Sequence, residues 1–280
     1  MTDAAFDFVA DATGFNPNNA YLLAQIANLV YEPEDKIRDT VKAWRFDFFK
    51  FFDGKETGTQ GFLASNATML LLAFRGTQPS EKKDLGIDAN VLMKPELTDN
   101  VSDGKAHHGF QAALDDVWND VLAEVRAQQT KPRPLWITGH SLGAALATMA
   151  TARLALAEQQ AVQGLYNFGS PRVFNTALAK AFDEQLFNKS FRFVNNNDIV
   201  TRIPLPIPTL AHLTERYCHI GQMKYFDETG KFRPEITGYG WTVFKDHVSG
   251  RLKDIGELGT DDLKDHFMNG YISCCKAMLG

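Results

Sequence analysis

The sequence predicts an α/β fold: a largely parallel central sheet flanked by helices, with N-terminal helices and a partly antiparallel N-terminal edge. Three observations carry this expectation. From about residue 110 onward, helix-period segments alternate with short apolar strands, the pattern of strands joined by helical crossovers. The run Met69-Leu70-Leu71-Leu72-Ala73-Phe74 is apolar throughout, as a strand buried on both faces must be. No repeat, low-complexity tract or Pro/Gly/Ser-rich linker divides the 280 residues, so 1–280 is read as one domain.

The elements follow in order. Asn16-Pro17 is a helix start, and Ala20, Leu23, Ala24 and Ala27 follow it at helical spacing. Glu32-Pro33 starts a second helix. From Trp44 to Phe52, Trp44, Phe46 and Phe48 alternate with Arg45 and Asp47, which reads as a strand. Gly61 to Ser65 and Thr68 to Phe74 form a hairpin across Asn66-Ala67. Phe110, Leu114, Val117, Val121 and Val125 share one face of a helix ending near Arg126. Leu135 to Thr138 is a strand, and Ala144 to Ala157 an Ala- and Leu-rich helix. Leu165 to Phe168 is a strand, Thr176 to Phe187 a helix, and Phe191 to Val194 a strand. In such sheets ligands bind beyond the carboxyl ends of the strands, so the chemistry is sought in the loops there.

Composition narrows the function. Hydrophobic residues make up 44% and charged residues 22%, an ordinary globular balance, and the net charge is −5 with no block of Lys and Arg. A nucleic-acid partner is not expected. Arg153 interrupts the longest apolar stretch, so no transmembrane segment is read. The first residues show neither a basic start nor an apolar core, so no signal peptide is visible. A cytoplasmic chain, or a secreted one already processed, fits this equally. Cys218, Cys274 and Cys275 lack zinc or C-x-x-C spacing and read as free thiols. No H-E-x-x-H, P-loop or G-x-G-x-x-G pattern occurs; the acidic pair Asp261-Asp262 reads as solvated surface, and no metal site is expected.

Gly139-His140-Ser141-Leu142-Gly143 is a G-x-S-x-G pentapeptide. With this Gly and Ser content about 0.05 such matches arise by chance, so its setting decides the reading. Here it lies between an apolar strand and an Ala-rich helix, as a nucleophile elbow requires. A sharp turn lifts the Ser hydroxyl out of the sheet, and the helix start aims N–H groups at developing negative charge.

Beyond this pentapeptide, several segments agree in order with one family. Phe74-Arg75-Gly76-Thr77 is similar to an oxyanion loop, and His108-Gly109-Phe110 to a helix entry. Phe168-Gly169-Ser170-Pro171-Arg172 is similar to the strand after the elbow. Val194 to Val200 with Arg202-Ile203-Pro204 resembles an acid loop, and Tyr217 to Gly221 a late structural strand. Together with Gly139 to Ala144, these resemble the class 3 lipases, the filamentous-fungal triacylglycerol lipase group with plant and bacterial relatives. The resemblance runs from about Leu70 to the C-terminus. It implies the α/β-hydrolase fold and ester hydrolysis through an acyl-enzyme, without a cofactor.

A Ser hydroxyl needs an imidazole to take its proton, and that imidazole needs a carboxylate. Chain order in this fold is Ser, acid, His. Asp198 is the first choice of acid, because it follows the strand Phe191 to Val194 and three Asn precede it. Asp183 and Asp227 do not close a strand entering the site. Four His follow Asp198. His266, in Asp265-His266-Phe267-Met268-Asn269-Gly270-Tyr271, resembles the family's C-terminal His with a Tyr a few residues on. His247, after Asp246, is the alternative base. His219 reads as a packed strand residue, and His212 sits among prolines. His140 lies inside the elbow, where it cannot serve Ser141 as base, and reads as structural with His108. Oxyanion donors are expected from the Leu142 N–H and from Thr77.

The resemblance implies an acyl glycerol or other ester substrate, at a lipid–water interface in typical relatives. The sequence departs from the fungal pattern in one place. Gln78-Pro79-Ser80-Glu81-Lys82-Lys83 is polar where the fungal lid is apolar, and no Trp follows. Interfacial activation is therefore not carried over, and short or medium acyl chains stay open. Leu92 and Met93, or Leu205, Ile207 and Leu210, are the apolar candidates for substrate contact. Feruloyl esterases and phospholipases share the scaffold, and a non-catalytic binding protein on the same fold is the remaining alternative.

Overall fold

A computed structural model describes residues 6–76, 93–95, 100–203, 216–236 and 264–280. Helix α1 (Pro17–Leu29) begins as expected: Asn16 caps it by accepting from the Asn19 N–H at 3.0 Å, and Pro17 occupies the first turn. Helix α2 (Glu34–Ala43) starts after Pro33. The chain then turns at Arg45, at φ 66°, so strand β1 (Phe48–Asp53) begins four residues later than the aromatic alternation suggested.

Strands β2 (Gln60–Ser65) and β3 (Leu70–Phe74) form the expected hairpin, its turn held by Asn66 Oδ1, which accepts from the N–H groups of Thr68 and Met69. A short pair follows, β4 (Met93–Pro95) with β5 (Lys105–His107). Then come α3 (His108–Gln128), β6 (Leu135–His140), α4 (Leu142–Ala152), β7 (Gly164–Phe168), α5 (Thr176–Leu186) and β8 (Ser190–Asn195). Helix α4 passes into a π-type turn at Arg153–Ala157, which ends the regular helix sooner than its composition suggested. Strands β9 (Gln222–Phe226) and β10 (Phe232–Arg233) and helix α6 (Met268–Ala277) close the chain. The expected late strand at Tyr217 to Gly221 is reduced to a single bridge between Phe174 and Cys218.

The sheet order is β1-β2-β3-β6-β7-β8-β9-β10. Pairings from β3 to β9 are parallel, and both edges are antiparallel; the β9–β10 edge was not anticipated. Strands β3, β6, β7 and β8 are buried along their whole length, which explains the unbroken apolar run of β3 and the mostly apolar make-up of the others, with Asn167 in β7 and Arg192 in β8 among the buried polar exceptions. Helices α3, α4 and α5 cover one face with an aliphatic core that includes Leu72, Ile137, Leu146 and Leu178. Helices α1 and α6 cover the other, where Trp136, Tyr166, Phe168, Phe193 and Tyr271 make an aromatic core. Because β3, β6, β7 and β8 run parallel, Gly76, Ser141, Gly169 and Asp198 all follow carboxyl ends on one rim of the sheet. Among the described residues no helix is long and apolar enough to cross a membrane. Cys274 and Cys275 are buried free thiols and Cys218 is half-buried.

Candidate active site

Ser141 sits between β6 and α4 at φ 58° and ψ −127°. A non-glycine residue there costs about 1–3 kcal/mol, which the surroundings must offset. They do so by close backbone approach. A Cβ on Gly139 would lie 2.2 Å from the Gly143 carbonyl oxygen, and one on Gly143 would lie 2.3 Å from the Phe74 carbonyl oxygen. Only glycine fits at either place. The Ser141 N–H donates to Phe168 O at 3.0 Å, which ties the elbow to the end of β7. The N–H groups of Leu142 and Gly143 lie in the first turn of α4, where a helix offers them no acceptor of its own.

Gly76 runs directly beside the elbow. A Cβ there would be 2.5 Å from His140 O and 3.2 Å from Ser141 Cβ. The residue after it, Thr77, lies outside the described residues.

Asp198 and His266 meet across 68 residues of sequence. His266 Nδ1 is 3.0 Å from both carboxylate oxygens of Asp198. Both side chains are buried. Tyr271, in α6, donates its hydroxyl to Asp198 Oδ2 at 2.5 Å and accepts the Asn195 N–H at 3.2 Å. Asp198 Oδ1 also accepts the Val200 N–H at 2.9 Å, at the start of the 3₁₀ turn Ile199–Arg202. Burial pushes the Asp198 carboxyl up. The His266 imidazole and the hydrogen bonds from His266 and Tyr271 pull it down harder, so it stays below the usual carboxylate range. Burial and the Asp198 charge raise the Tyr271 phenol well above its ordinary value, so it remains a donor. With Nδ1–H donating to Asp198, the lone pair of a neutral ring falls on the second nitrogen. That atom, His266 Nε2, is buried and has no hydrogen-bond partner among the described residues.

The loop carrying His266 is tied down by the Asn run. Asn195 Nδ2 donates to Asp265 O at 2.9 Å, and Asp265 Oδ2 accepts from Asn196 Nδ2 and the Asn197 N–H. Gly169, at φ 59°, leaves room for the pair: a Cβ would lie 2.8 Å from Asp198 Oδ2 and 3.0 Å from His266 Nδ1. The rings of His140 and His266 lie 4.5 Å apart, so His266 sits beside the residue that precedes Ser141.

Ser141, Leu142, Asp198 and His266 therefore share one rim of the sheet. The rival acids have other partners: Asp183 accepts the Gly221 N–H, and Asp227 accepts from Thr229 and Arg233 in a turn. His219 bonds Thr201 O at 2.8 Å, a packing role, and His107 rather than His108 caps α3. His212, His247, Leu92, Leu205, Ile207, Leu210 and the Asp261-Asp262 pair lie outside the described residues, as does the side chain of Met93. The sequence reading assigned no task to Tyr271, Gly169 or Asp265. The Tyr five positions after His266 was the one available signal. Among the described residues no cluster of His, Cys, Asp and Glu has the makings of a metal site.

Comparison with known proteins places these features in company. A family model described as Lipase (class 3) matches residues 71–207. A secreted mono- and diacylglycerol lipase A of Penicillium cyclopium is 34% identical over 173 residues, covering 60% of this chain and 54% of the relative. A triacylglycerol lipase of Arabidopsis thaliana is 26% identical over 273 residues, covering 78% of this chain and 52% of the relative. The chain thus spans about half the length of the curated relatives it matches. A solved lipase from Rhizopus microsporus var. chinensis is similar with a TM-score of 0.59 at 25% identity, over 77% of this chain and 76% of that one. With the sheet order above, that likeness makes the fold an α/β-hydrolase fold.

Proposed function

We propose that this chain, which belongs to the class 3 lipase family, hydrolyses carboxylic esters through an acyl-enzyme formed on Ser141. The observation that carries the reading is the buried, unpartnered His266 Nε2 behind the strained elbow at Ser141. Ser141 Oγ attacks the ester carbonyl while His266 Nε2 takes its proton. Asp198 and Tyr271 hold the imidazole in the tautomer that accepts at Nε2 and stabilise its charged form. The Leu142 N–H and Thr77 bind the oxyanion. His266 then returns the proton to the leaving alcohol, and water repeats the sequence on the acyl-enzyme.

The substrate is an acyl glycerol or another ester of short to medium chain, met as a small molecule or at a lipid surface. What supports this class is the company of mono-, di- and triacylglycerol lipases among the relatives. Residues 1–280 act as one catalytic unit in this reading, with the apolar candidates Leu92, Met93, Leu205, Ile207 and Leu210 about the acyl chain.

A fluorophosphonate should label the chain at Ser141, as read by peptide mapping. Ser141→Ala should lower p-nitrophenyl ester hydrolysis by about 10³-fold or more. Labelling elsewhere, or equal rates in the two proteins, contradicts the reading. Rates across ester chain lengths, with and without emulsified substrate, then assign the acyl preference.

A further inference from the structure

Tyr31 follows the end of α1, far from Ser141 in sequence, yet its hydroxyl reaches the rim of the site. It lies 2.9 Å from His140 Nδ1, and it accepts the Gly76 N–H. The other nitrogen of His140, Nε2, lies 2.7 Å from the carbonyl oxygen of His266. His140 and the Tyr31 hydroxyl thus link the segments that carry Gly76, Ser141 and His266.

The direction of each bond follows from chemistry. A carbonyl only accepts, so His140 Nε2 carries the hydrogen. Burial first, and the neighbouring His266 second, lower the His140 pKa to about 3, so the ring is neutral and its Nδ1 is a bare acceptor. Burial raises the Tyr31 phenol, which therefore keeps its proton and donates it to Nδ1. The run reads Gly76 N–H to Tyr31 O–H to His140 Nδ1, and from His140 Nε2–H to His266 O. The Arg75 guanidinium, 5.9 Å over the Tyr31 ring, completes the surroundings on one side; Asp198 and Tyr271 lie beyond His266 on the other.

Each contact falls next to a reacting group. Gly76 precedes Thr77, His140 precedes Ser141, and the carbonyl belongs to His266 itself. The space at Gly76 is set by the same hydroxyl, since a Cβ there would be 2.4 Å from Tyr31 Oη. A linkage that served stability alone has no need to end on these three positions.

We propose that Tyr31 and His140 are positioning residues that fix the oxyanion loop and the base at a set spacing about the nucleophile. The proposal rests on the ester-hydrolase reading above. Both side chains act through the groups they bond, so on this proposal their loss changes the alignment reached in the transition state and leaves ground-state binding alone.

The test uses a water-soluble p-nitrophenyl ester and kcat per site titrated with a fluorophosphonate, which removes any unfolded fraction from the comparison. Tyr31→Phe keeps the ring and deletes the hydroxyl; kcat should fall about 10- to 100-fold with KM within about twofold. His140→Leu should behave alike, and His140→Gln, whose amide can both donate and accept, should recover part of the loss. Tyr31→Phe combined with His140→Leu should cost little more than the worse single change, because both break one chain of bonds. An alkylboronic acid, which mimics the tetrahedral state, should lose affinity in step with kcat/KM. Unchanged kcat per titrated site with only a lowered Tm, or a loss confined to KM, overturns the proposal while a difference between wild type and Ser141→Ala upholds the ester-hydrolase reading. Equal rates in wild type and Ser141→Ala overturn both.

Discussion

Around Ser141 the backbone is confined by contact, whereas around His266 it is tied by hydrogen bonds. A methyl group at Gly139, Gly143 or Gly76 would meet backbone or side-chain atoms at 2.2 to 2.4 Å. By contrast, His266 is held through Asp198, Tyr271, His140 and the Asn195–Asp265 clamp, with partners up to 126 residues apart in sequence. The steric half is built where the short turn after β3 lies against the elbow, and it tolerates no added atom at these glycines. The polar half is assembled from β6, β8, the turn after β8, α6 and the residues that lead into it. It tolerates small changes of shape but no unpaired group, because a buried polar atom left without a partner costs its full desolvation.

Substitutions can break either half, and the expected effects differ in size. Asp198→Asn keeps the shape and loses the charge that selects the His266 tautomer; kcat should fall about 10⁴-fold, the size such a change has in a Ser-His-Asp arrangement. A loss below tenfold, measured per titrated site, would detach Asp198 from the reaction. Gly143→Ala strikes the steric half and should cost about 3 kcal/mol or more in urea unfolding, because the nearest atoms are backbone. Gly14, with nothing within 4 Å of its added Cβ, is the matched control. Gly14→Ala should stay within about 0.5 kcal/mol.

Tyr271→Phe removes a buried donor from a carboxylate and should cost about 2 kcal/mol of stability. Its pH signature has a definite sign. The folded Asp198 pKa lies below its unfolded value, so its contribution is complete above the unfolded pKa and is lost as pH falls through the folded one. Losing the Tyr271 bond lessens that depression. The acid-unfolding midpoint should therefore move to higher pH, and a midpoint that moves down contradicts the assignment.

A second pH effect concerns His140, whose pKa falls from 6.5 to about 3 on folding. Between those values the unfolded chain binds a proton that the folded chain does not. Stability should thus decline as pH drops from about 6.5, by up to about 1.4 kcal/mol per unit for this one group. His140→Gln should flatten the slope measured by urea unfolding between pH 7 and 4, and an unaltered slope would count against a buried neutral ring.

The same contrast explains what could be read in advance. The parallel strands were legible because burial on both faces writes mostly apolar segments, unbroken in β3, and the elbow because its glycines must stand two residues either side of Ser141. Asp198 was legible from its place after β8. The bonds from Tyr271, Tyr31 and Asp265 were not, because a hydrogen bond across 69 to 109 residues leaves no local pattern. Strands β9 and β10 were missed for a related reason: β9 is only part-buried, and Gln222 and Lys224 interrupt its apolar run. His140, read as structural from its position in the elbow, has two partners that no local pattern announced, Tyr31 and the His266 carbonyl.

The central claim is that His266 serves the hydroxyl of Ser141, and a crystal structure of the phosphonate-inhibited protein tests it most directly. The account predicts phosphorus bonded to Ser141 Oγ, the phosphonyl oxygen about 3 Å from the Leu142 N–H, and His266 Nε2 within about 3.2 Å of an oxygen on the adduct. An adduct on another residue, or one on Ser141 with His266 Nε2 turned away and His247 in its place, would contradict it.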